Sequence, residues 1–272
     1  MREILRHPTG LVGSFLLALV LLAALFGSWL APYDPQLFHP QARLQGPSAA
    51  FWLGTDQFGR DILSRILHGA RSTVSFGVGA TLLGVAAGAV IGITAGVVGK
   101  WVDSLIMRLV DGLLAVPDLL FTLLIVTVIG GGSGHAMLAV AVAFTPGMAR
   151  ISRSAVLSVR TREFVQAATA RGESRLYIMA AEVLPNSVGP LIVEATIRVS
   201  FAIMLGATLG FLGLGAQPPS TEWGLMISEA RQFMFRNPWC VAAPGVAIAM
   251  AAMGFNLFGD ALRDLIDPRG QR

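Results

Sequence analysis

The sequence predicts an all-α integral membrane protein with six transmembrane helices. Hydrophobic residues make up 54% of the chain and charged residues only 13%, whereas soluble domains carry roughly 25% charged residues. The apolar residues also gather in runs of about 20, the length that a helix needs to cross the hydrocarbon core of a bilayer. The basic residues lie between these runs, which is typical of a topology signal, and no basic tract with interleaved aromatics indicates a nucleic-acid partner. The lipid bilayer is therefore the expected surrounding of most of the chain.

The first apolar run covers residues 9–31 and follows a short segment at residues 1–8. A secretory signal peptide is the alternative, but its apolar core would be about 7 to 15 residues long and would end at a small-x-small cleavage site. The run is longer than that, and no clean cleavage site follows it. We therefore expect residues 9–31 to be the first permanent span.

Residues 32–72 are predicted to form a loop outside the membrane, because several charged side chains exclude a buried span. These are Asp56, Arg60, Asp61, Arg65 and Arg71. From residue 62 onward the apolar positions follow a helical period, which predicts an amphipathic helix that lies along the membrane surface before span two.

Span two is predicted at residues 73–98 and carries four glycines at four-residue spacing. They are Gly84, Gly88, Gly92 and Gly96. This spacing places all four on one face of a helix, where the lack of side chains lets a neighbouring backbone approach closely. The pattern predicts a helix-packing face.

Spans two to six are expected to form a permease core at residues 73–262. The later spans are predicted at residues 105–129, 135–151, 190–214 and 239–262. Three polar segments lie between or after them, at residues 160–189, 216–238 and 263–272.

The distribution of basic residues predicts the orientation, because Lys and Arg accumulate on the cytoplasmic side of short loops. If the N-terminus is cytoplasmic, most of the 20 basic residues fall on the inner side. The outer basic residues then lie in two long loops that also carry acids. Both termini and residues 160–189 are predicted to be cytoplasmic, with residues 32–72 and 216–238 outside.

No motif in the sequence indicates a catalytic, cofactor-binding or metal-binding function. The only lysine, Lys100, lacks the first glycine and the Ser or Thr of a phosphate-binding loop. The four histidines are far apart, and the single cysteine, Cys240, allows neither a disulfide nor a cysteine-based metal cluster. No nucleophile motif is present. The chain is therefore predicted to be non-catalytic, with no catalytic, cofactor-binding or metal-ligating residue.

Four of the ionisable residues within the predicted spans are candidates for a function, because such groups are often functional there. They are Asp111, Asp118, Glu194 and Arg198. All lie near a predicted cytoplasmic end, and Glu194 and Arg198 are four residues apart, so that they can pair on one helix. The spacing favours a local ion pair over a contact with a transported solute.

The segment from Val165 to Pro185 is predicted to form a helix, a tight turn and a second helix. Gly172 can end the first helix because glycine tolerates the left-handed conformation of a helix stop. Ser174 can cap the second helix, which Pro185 is expected to end. The second helix is expected to carry an apolar stripe, made of Leu176, Met179, Ala180 and Val183. Such a corner fits a groove on a soluble partner, although a linker without a partner would show the same pattern.

The sequence of this segment resembles the EAA loop of binding-protein-dependent ABC importer permeases. Ala167, Ala168, Gly172, Leu184 and Pro185 match the pattern of that loop, whereas Gln166 stands where the family usually has glutamate. Further motifs resemble the C-type permease of the dipeptide, oligopeptide and nickel branch, in the same order along the chain. They are LAPYDP, LGTDQFGRDILSR, DGLLAVPDLL, FLGLG, EWGLMISEAR and FNLFGDALRDLIDPR.

The resemblance implies a type I ABC importer permease in a bacterial inner membrane, coupled through Gln166, Ala167, Ala168, Gly172, Ser174, Leu184 and Pro185 to a cytoplasmic ATPase. It also implies two ATPase subunits that bind ATP and magnesium, a second permease in a heterodimer, and an extracytoplasmic solute-binding protein. The implied cargo is a di- or oligopeptide or a related small solute.

Other functions stay open at this stage. A nickel or metal-chelate importer of the same family would share these motifs. An ion-driven secondary carrier would transport without partners, and a non-transporting membrane anchor would also fit the glycine face and the helix-turn-helix.

Overall fold

A computed structural model describes residues 8–266, and this part of the chain is helical apart from its loops and one isolated β-bridge between Thr55 and Asp61. The sequence-based expectations for residues 1–7 and 267–272 lie outside the described residues. The principal helices are α1 (Pro8–Leu30), α2 (Ile62–Val98), α3 (Lys100–Leu114), α4 (Asp118–Ile129), α5 (Ser133–Arg160), α6 (Glu163–Ala170), α7 (Arg175–Tyr177), α8 (Leu184–Phe211), α9 (Trp223–Ala230) and α10 (Trp239–Ile266). A π-helical segment, Ile178–Val183, joins α7 to α8.

Four helical runs within residues 8–266 are long and apolar enough to cross a membrane. They are Pro8–Leu30, Ile62–Val98, Ile178–Phe211 and Trp239–Leu265. The bent pair α3 and α4 is a possible fifth span. Helix α5 has 28 residues, which is long enough to cross a membrane, but polar side chains interrupt it and it is not as apolar as these four runs. The all-helical prediction is confirmed at this coarser level of four or five spans.

Helix α2 differs from the prediction at its beginning. Residues 62–72 do not form a separate helix along the membrane surface, because they continue without a break into the predicted span two. Asp61 caps the helix and accepts a hydrogen bond from the Ser64 amide at 2.8 Å. At 1.5 Å per residue, the 37 residues extend about 55 Å, well beyond a hydrocarbon core of about 30 Å. Helix α2 is therefore longer than a single crossing of the hydrocarbon core requires.

The predicted span three is also different, because two helices replace one. Helices α3 and α4 meet at an angle of 90°. Pro117 adopts an extended backbone conformation, with ψ of 136°, directly before α4. Proline also disfavours helical geometry in the residue before it, so the chain turns at Val116 and Pro117 instead of continuing straight.

Helix α5 lies against the glycine face of α2. A Cβ atom added at Gly92 would lie 2.1 Å from the Ala149 carbonyl oxygen, and one added at Gly88 would lie 2.5 Å from Met148 Cβ. Gly84 and Gly96 face α5 in the same way. The two backbones approach so closely that only glycine fits between them.

The buried apolar residues form three clusters that follow these contacts. One cluster joins α1, α2, α8, α9 and α10, with Trp223 as its largest fully buried side chain. A second joins α2, α4, α5 and α8 around Phe144. A third lies at the other end of α5 and fixes the segment between α5 and α8.

Candidate functional site

The segment between α5 and α8 is the helix-turn-helix that the sequence predicts, and we call residues 163–183 the corner segment. Helix α6 ends at Ala170, and Gly172 shortly after it has a φ of +82°, the left-handed conformation that glycine adopts readily. The Gly172 amide donates to the Thr169 carbonyl at 3.1 Å, and the Glu173 amide donates to the Ala168 carbonyl at 3.3 Å. Ser174 Oγ then accepts from the Tyr177 amide at 3.2 Å, so Ser174 caps the next turn as predicted.

The second half of the corner segment differs from the prediction at Pro185. The helix does not end there, because the π-helical turn carries it directly into α8. The Leu184 amide donates to the Met179 carbonyl, five residues earlier. This wider turn accommodates the Pro185 ring and its missing N–H, both of which would disturb an ordinary α-helix.

The π-helical turn also changes which side chains are buried. Of the predicted stripe, Leu176 is 84% exposed and Ala180 is also exposed, so the stripe does not form one buried face. Val183 of the stripe is buried together with Ile178, which is outside the stripe. They are five residues apart, the spacing that places two residues on the same face of a π-helix.

The base of the corner segment is fixed to the helices that precede it. Val165 and Ala168 of α6 share a buried cluster with Val156 and Val159 of α5. Ile93 and Val97 of α2 pack against the same cluster. A displacement of the corner segment would therefore be transmitted to both α2 and α5.

The outer side of the corner segment is exposed and partly apolar. Leu176 and Tyr177 project from the second helix, with Tyr177 half exposed. Gln166 and Ala167 lie on the exposed side of α6, and Gln166 Nε2 donates to the Thr161 carbonyl at 3.2 Å. No atom of the described residues lies within 4 Å of a Cβ added at Gly172.

Ion pairs account for several of the charges that fall within the predicted spans. Arg198 Nε donates to Glu194 Oε1 at 3.0 Å, which is the predicted local pair. Asp111 of α3 pairs with Arg150 of α5, and Asp103 pairs with Arg153 in the same way. These two pairs attach α3 to α5.

A second candidate site lies at the opposite ends of α2 and α8, and sequence reasoning missed it. Asp56 Oδ2 accepts from Arg60 Nε at 2.6 Å and from Arg65 Nη1 at 2.8 Å. Glu229 Oε2 accepts from Arg60 Nη2 at 3.0 Å and from Arg65 Nη2 at 3.2 Å. We call these four residues the outer charge cluster; the two arginine side chains are at most 5% exposed.

The outer charge cluster joins the two long loops that the sequence places outside the membrane. Further contacts act in parallel, since Asn237 Nδ2 donates to the Gln45 and Thr55 carbonyls at 3.0 Å each. Trp223 Nε1 donates to the Ile66 carbonyl at 3.0 Å. The four-residue spacing of Asp56 and Arg60 is visible in the sequence, but no sequence pattern indicates that Glu229 completes the cluster.

Comparison with known proteins agrees with this architecture. The family model described as binding-protein-dependent transport system inner membrane component matches residues 88–272. The model described as the N-terminal TM domain of oligopeptide transport permease C matches residues 1–47.

Several curated relatives match almost the whole chain. The dipeptide transport system permease protein of Alkalihalophilus pseudofirmus is 41% identical over 98% of this chain and 88% of its own length. The di/tripeptide transport system permease protein of Pseudomonas aeruginosa is 42% identical over 97% of this chain and 89% of its own length. The glutathione transport system permease protein of Pectobacterium atrosepticum is 37% identical over 98% of this chain and 89% of its own length.

The fold is also similar to a solved structure of the MetNI methionine ABC transporter in an inward-facing conformation. The TM-score is 0.62 at 17% sequence identity, and the match covers 75% of this chain and 96% of that chain. The chain belongs to the family of binding-protein-dependent transport system inner membrane components, as a non-catalytic membrane subunit.

Proposed function

We propose that this chain forms half of the translocation path of an ABC importer for di- or oligopeptides. Support for the cargo comes from relatives above 40% identity whose names specify dipeptides or di/tripeptides. In this proposal the chain crosses the inner membrane six times with both termini in the cytoplasm. The 28 residues of α5 would extend about 42 Å and supply the span that composition alone does not identify.

The proposed division of the chain follows the alternation of apolar and polar segments. Residues 9–31 are span one, residues 32–72 belong to the outer side, and residues 73–262 form the permease core. Residues 160–189 are the cytoplasmic coupling loop, and residues 216–238 return to the outer side. The tail begins at residue 263.

The observation that carries the coupling proposal is a corner segment with an anchored base and an exposed tip. Val165, Ala168 and Val183 are buried in the cluster with α5, whereas Leu176 is 84% exposed. Exposed apolar side chains at a polar corner are typical of a surface that docks into a groove on another protein. In the proposed mechanism, two cytoplasmic ATPase subunits receive this corner and the corresponding one of a second, related permease.

The ATPase subunits bind ATP and magnesium, and this chain binds neither. Closure of the ATPase pair pushes the corner segment, and the buried cluster transmits that movement to α2 and α5. Gly172 gives the tight turn, Ser174 caps the second helix, and Leu184 and Pro185 begin α8. Helix α6 contains Gln166, Ala167 and Ala168, and Gln166 lies on the face that meets the ATPase.

An extracytoplasmic solute-binding protein completes the proposed importer. It docks on the surface formed by residues 32–61 and 216–238, which the outer charge cluster ties together. Because this surface is attached to α2 through buried contacts, docking there acts on a membrane helix.

The coupling proposal is tested with a change at the exposed tip of the corner segment. Leu176→Ser should reduce peptide uptake by the reconstituted importer at least tenfold, with ATP hydrolysis no longer stimulated by the binding protein. Thermal unfolding should be unchanged, because the side chain is exposed. Val98→Ser, at an exposed apolar residue at the end of α2, is the matched control and should transport normally. Unimpaired uptake in Leu176→Ser would contradict the proposal.

A second test uses the turn itself. Gly172→Leu should abolish uptake while the protein still inserts. The described part of the chain leaves open space around this position, so the leucine side chain does not clash within the chain. In the proposed complex, the same side chain would clash with the groove of the ATPase. Asn tolerates positive φ better than Leu, so Gly172→Asn separates backbone strain from the added bulk. Transport by the purified chain alone in liposomes would instead favour an ion-driven secondary carrier.

A further inference from the structure

A cavity of about 580 Å³ opens between α5, α8 and the last turns of α10. It lies on a different part of α5 from the glycine-packed face that contacts α2. Its walls are largely apolar and include Ile151 and Val159 of α5 together with Val193 and Ile197 of α8. The cavity is therefore an apolar crevice between helices, and its length runs along two of them.

Two basic side chains line this crevice. Arg162 lies between α5 and α6, and Arg263 lies in the last turn of α10; both are exposed. Within residues 8–266 neither guanidinium takes part in an ion pair. Both arginines lie near helix ends, Arg162 two residues after the end of α5 and Arg263 in the last turn of α10.

Among residues 8–266, the one acidic residue that lines the cavity does not cancel this charge. Glu194 is paired with Arg198, whose Nε donates to Glu194 Oε1 at 3.0 Å. Arg198 is in turn held against α5, with its Cζ 5.0 Å from the centre of the Phe144 ring. The excess positive charge at the mouth of the crevice thus comes from Arg162 and Arg263.

We propose that this crevice binds one anionic phospholipid, with the phosphate between Arg162 and Arg263 and an acyl chain along the apolar walls. Basic pockets between membrane helices at the bilayer surface suit anionic headgroups, and guanidinium groups bind phosphate through charge-assisted hydrogen bonds. The apolar crevice favours a lipid over a free anion, because inorganic phosphate would leave those walls unoccupied. The inference requires only that α8 and α10 span the membrane, and it is independent of the proposed cargo.

The test is native mass spectrometry of the full-length chain, delipidated in detergent and titrated with phosphatidylglycerol or phosphatidylcholine. One phosphatidylglycerol should be retained per chain, with an affinity above that for phosphatidylcholine. Arg162→Gln and Arg263→Gln should each weaken retention of phosphatidylglycerol about fivefold, the contribution of one basic residue near an anionic surface. Arg108→Gln removes an exposed arginine of α3 that does not line the cavity and should leave retention unchanged.

Further variants keep the test independent of folding defects. Arg263→Lys preserves the charge and should retain most of the affinity, whereas Arg263→Gln should not. Equal retention of the two lipids, or equal weakening by Arg108→Gln and Arg263→Gln, would overturn the proposal. Displacement of phosphatidylglycerol by an equal concentration of inorganic phosphate would show a free-anion site and overturn it as well. Peptide uptake is not the readout, so failure of the lipid site is distinguishable from failure of the proposed transport function.

Discussion

Arg65 of α2 and Glu229 of α9 form a buried ion pair across 164 positions of the sequence, with Nη2 donating to Oε2 at 3.2 Å. Asp56 and Arg60 complete the same cluster, so two acids and two bases compensate each other away from solvent. The contacts connect the loop between α1 and α2, the first turns of α2 and the segment between α8 and α10. These two loops therefore belong to the same packed unit as the long helices.

The first prediction concerns Asp56, whose carboxylate serves both arginines. Asp56→Asn leaves Glu229 as the only carboxylate that pairs with the buried Arg60 and Arg65. Removal of one partner of a buried ion pair typically costs about 3–5 kcal/mol. The free energy of unfolding should fall by that amount, measured by denaturant unfolding in lipid nanodiscs. Asp34→Asn is the matched control, because Asp34 is exposed and asparagine keeps the oxygen that accepts from the Gln36 amide. Equal stability of the two variants would contradict a structural role of the cluster.

The second prediction concerns the close contact of α2 with α5. Gly92→Ala should destabilise the protein by about 1–3 kcal/mol, because its Cβ would lie 2.1 Å from the Ala149 carbonyl oxygen and the backbones must separate. Gly112→Ala in α3 is the control, since nothing lies within 4 Å of its Cβ. There the better helix propensity of alanine should stabilise by up to about 1 kcal/mol. Opposite signs for the two glycines are expected in thermal unfolding, and a stabilising Gly92→Ala would refute the close contact.

The third prediction concerns Gln166, the residue that departs from the family pattern. Gln166→Glu loses the hydrogen bond to the Thr161 carbonyl but adds a negative charge in the first half of α6, where the helix dipole favours acids by about 0.3–1 kcal/mol. Stability should therefore change by less than about 1 kcal/mol. Uptake per ATP hydrolysed by the reconstituted importer should be kept or increased, because glutamate is usual at this position in the family that the segment resembles. Loss of uptake with normal stability would show that Gln166 makes a contact that glutamate cannot replace.

Sequence reasoning succeeded where one local rule dominates. Gly172 ends α6 because no other residue adopts φ of +82° so readily, and Ser174 caps the following turn with its own side chain. The four glycines of α2 were visible as one face because helical geometry fixes their alignment. Each of these features depends on a few neighbouring residues.

The errors arose where a residue allows more than one outcome. Pro117 breaks the predicted span three, whereas at Pro185 the helix continues through a π-helical turn into α8. The sequence around the two prolines does not indicate which of these outcomes occurs. The outer charge cluster was missed for a different reason. Glu229 meets Arg60 and Arg65 only after α2 and α9 have packed together. The spacing of residues along the sequence therefore does not predict these two ion pairs.

The last prediction concerns the pH dependence that Glu222 gives to the stability of the protein. Its carboxylate caps α9 and accepts from the Gly224 and Leu225 amides at 2.9 Å each. Burial nevertheless raises the pKa of Glu222 above its ordinary value of 4.5, because desolvation penalises the charged form more than these hydrogen bonds favour it. Between the ordinary and the raised pKa, the folded protein therefore binds more protons than the unfolded chain. The contribution of Glu222 to stability must then decrease as pH rises through that window.

Glu222→Gln removes the titration, so the difference in unfolding free energy between the wild type and this variant should become less favourable to the wild type as pH rises from 4 to 7. Denaturant unfolding in nanodiscs at several pH values measures this difference. A difference that stays constant or grows with pH would show that the two amide hydrogen bonds outweigh desolvation and that Glu222 is charged throughout.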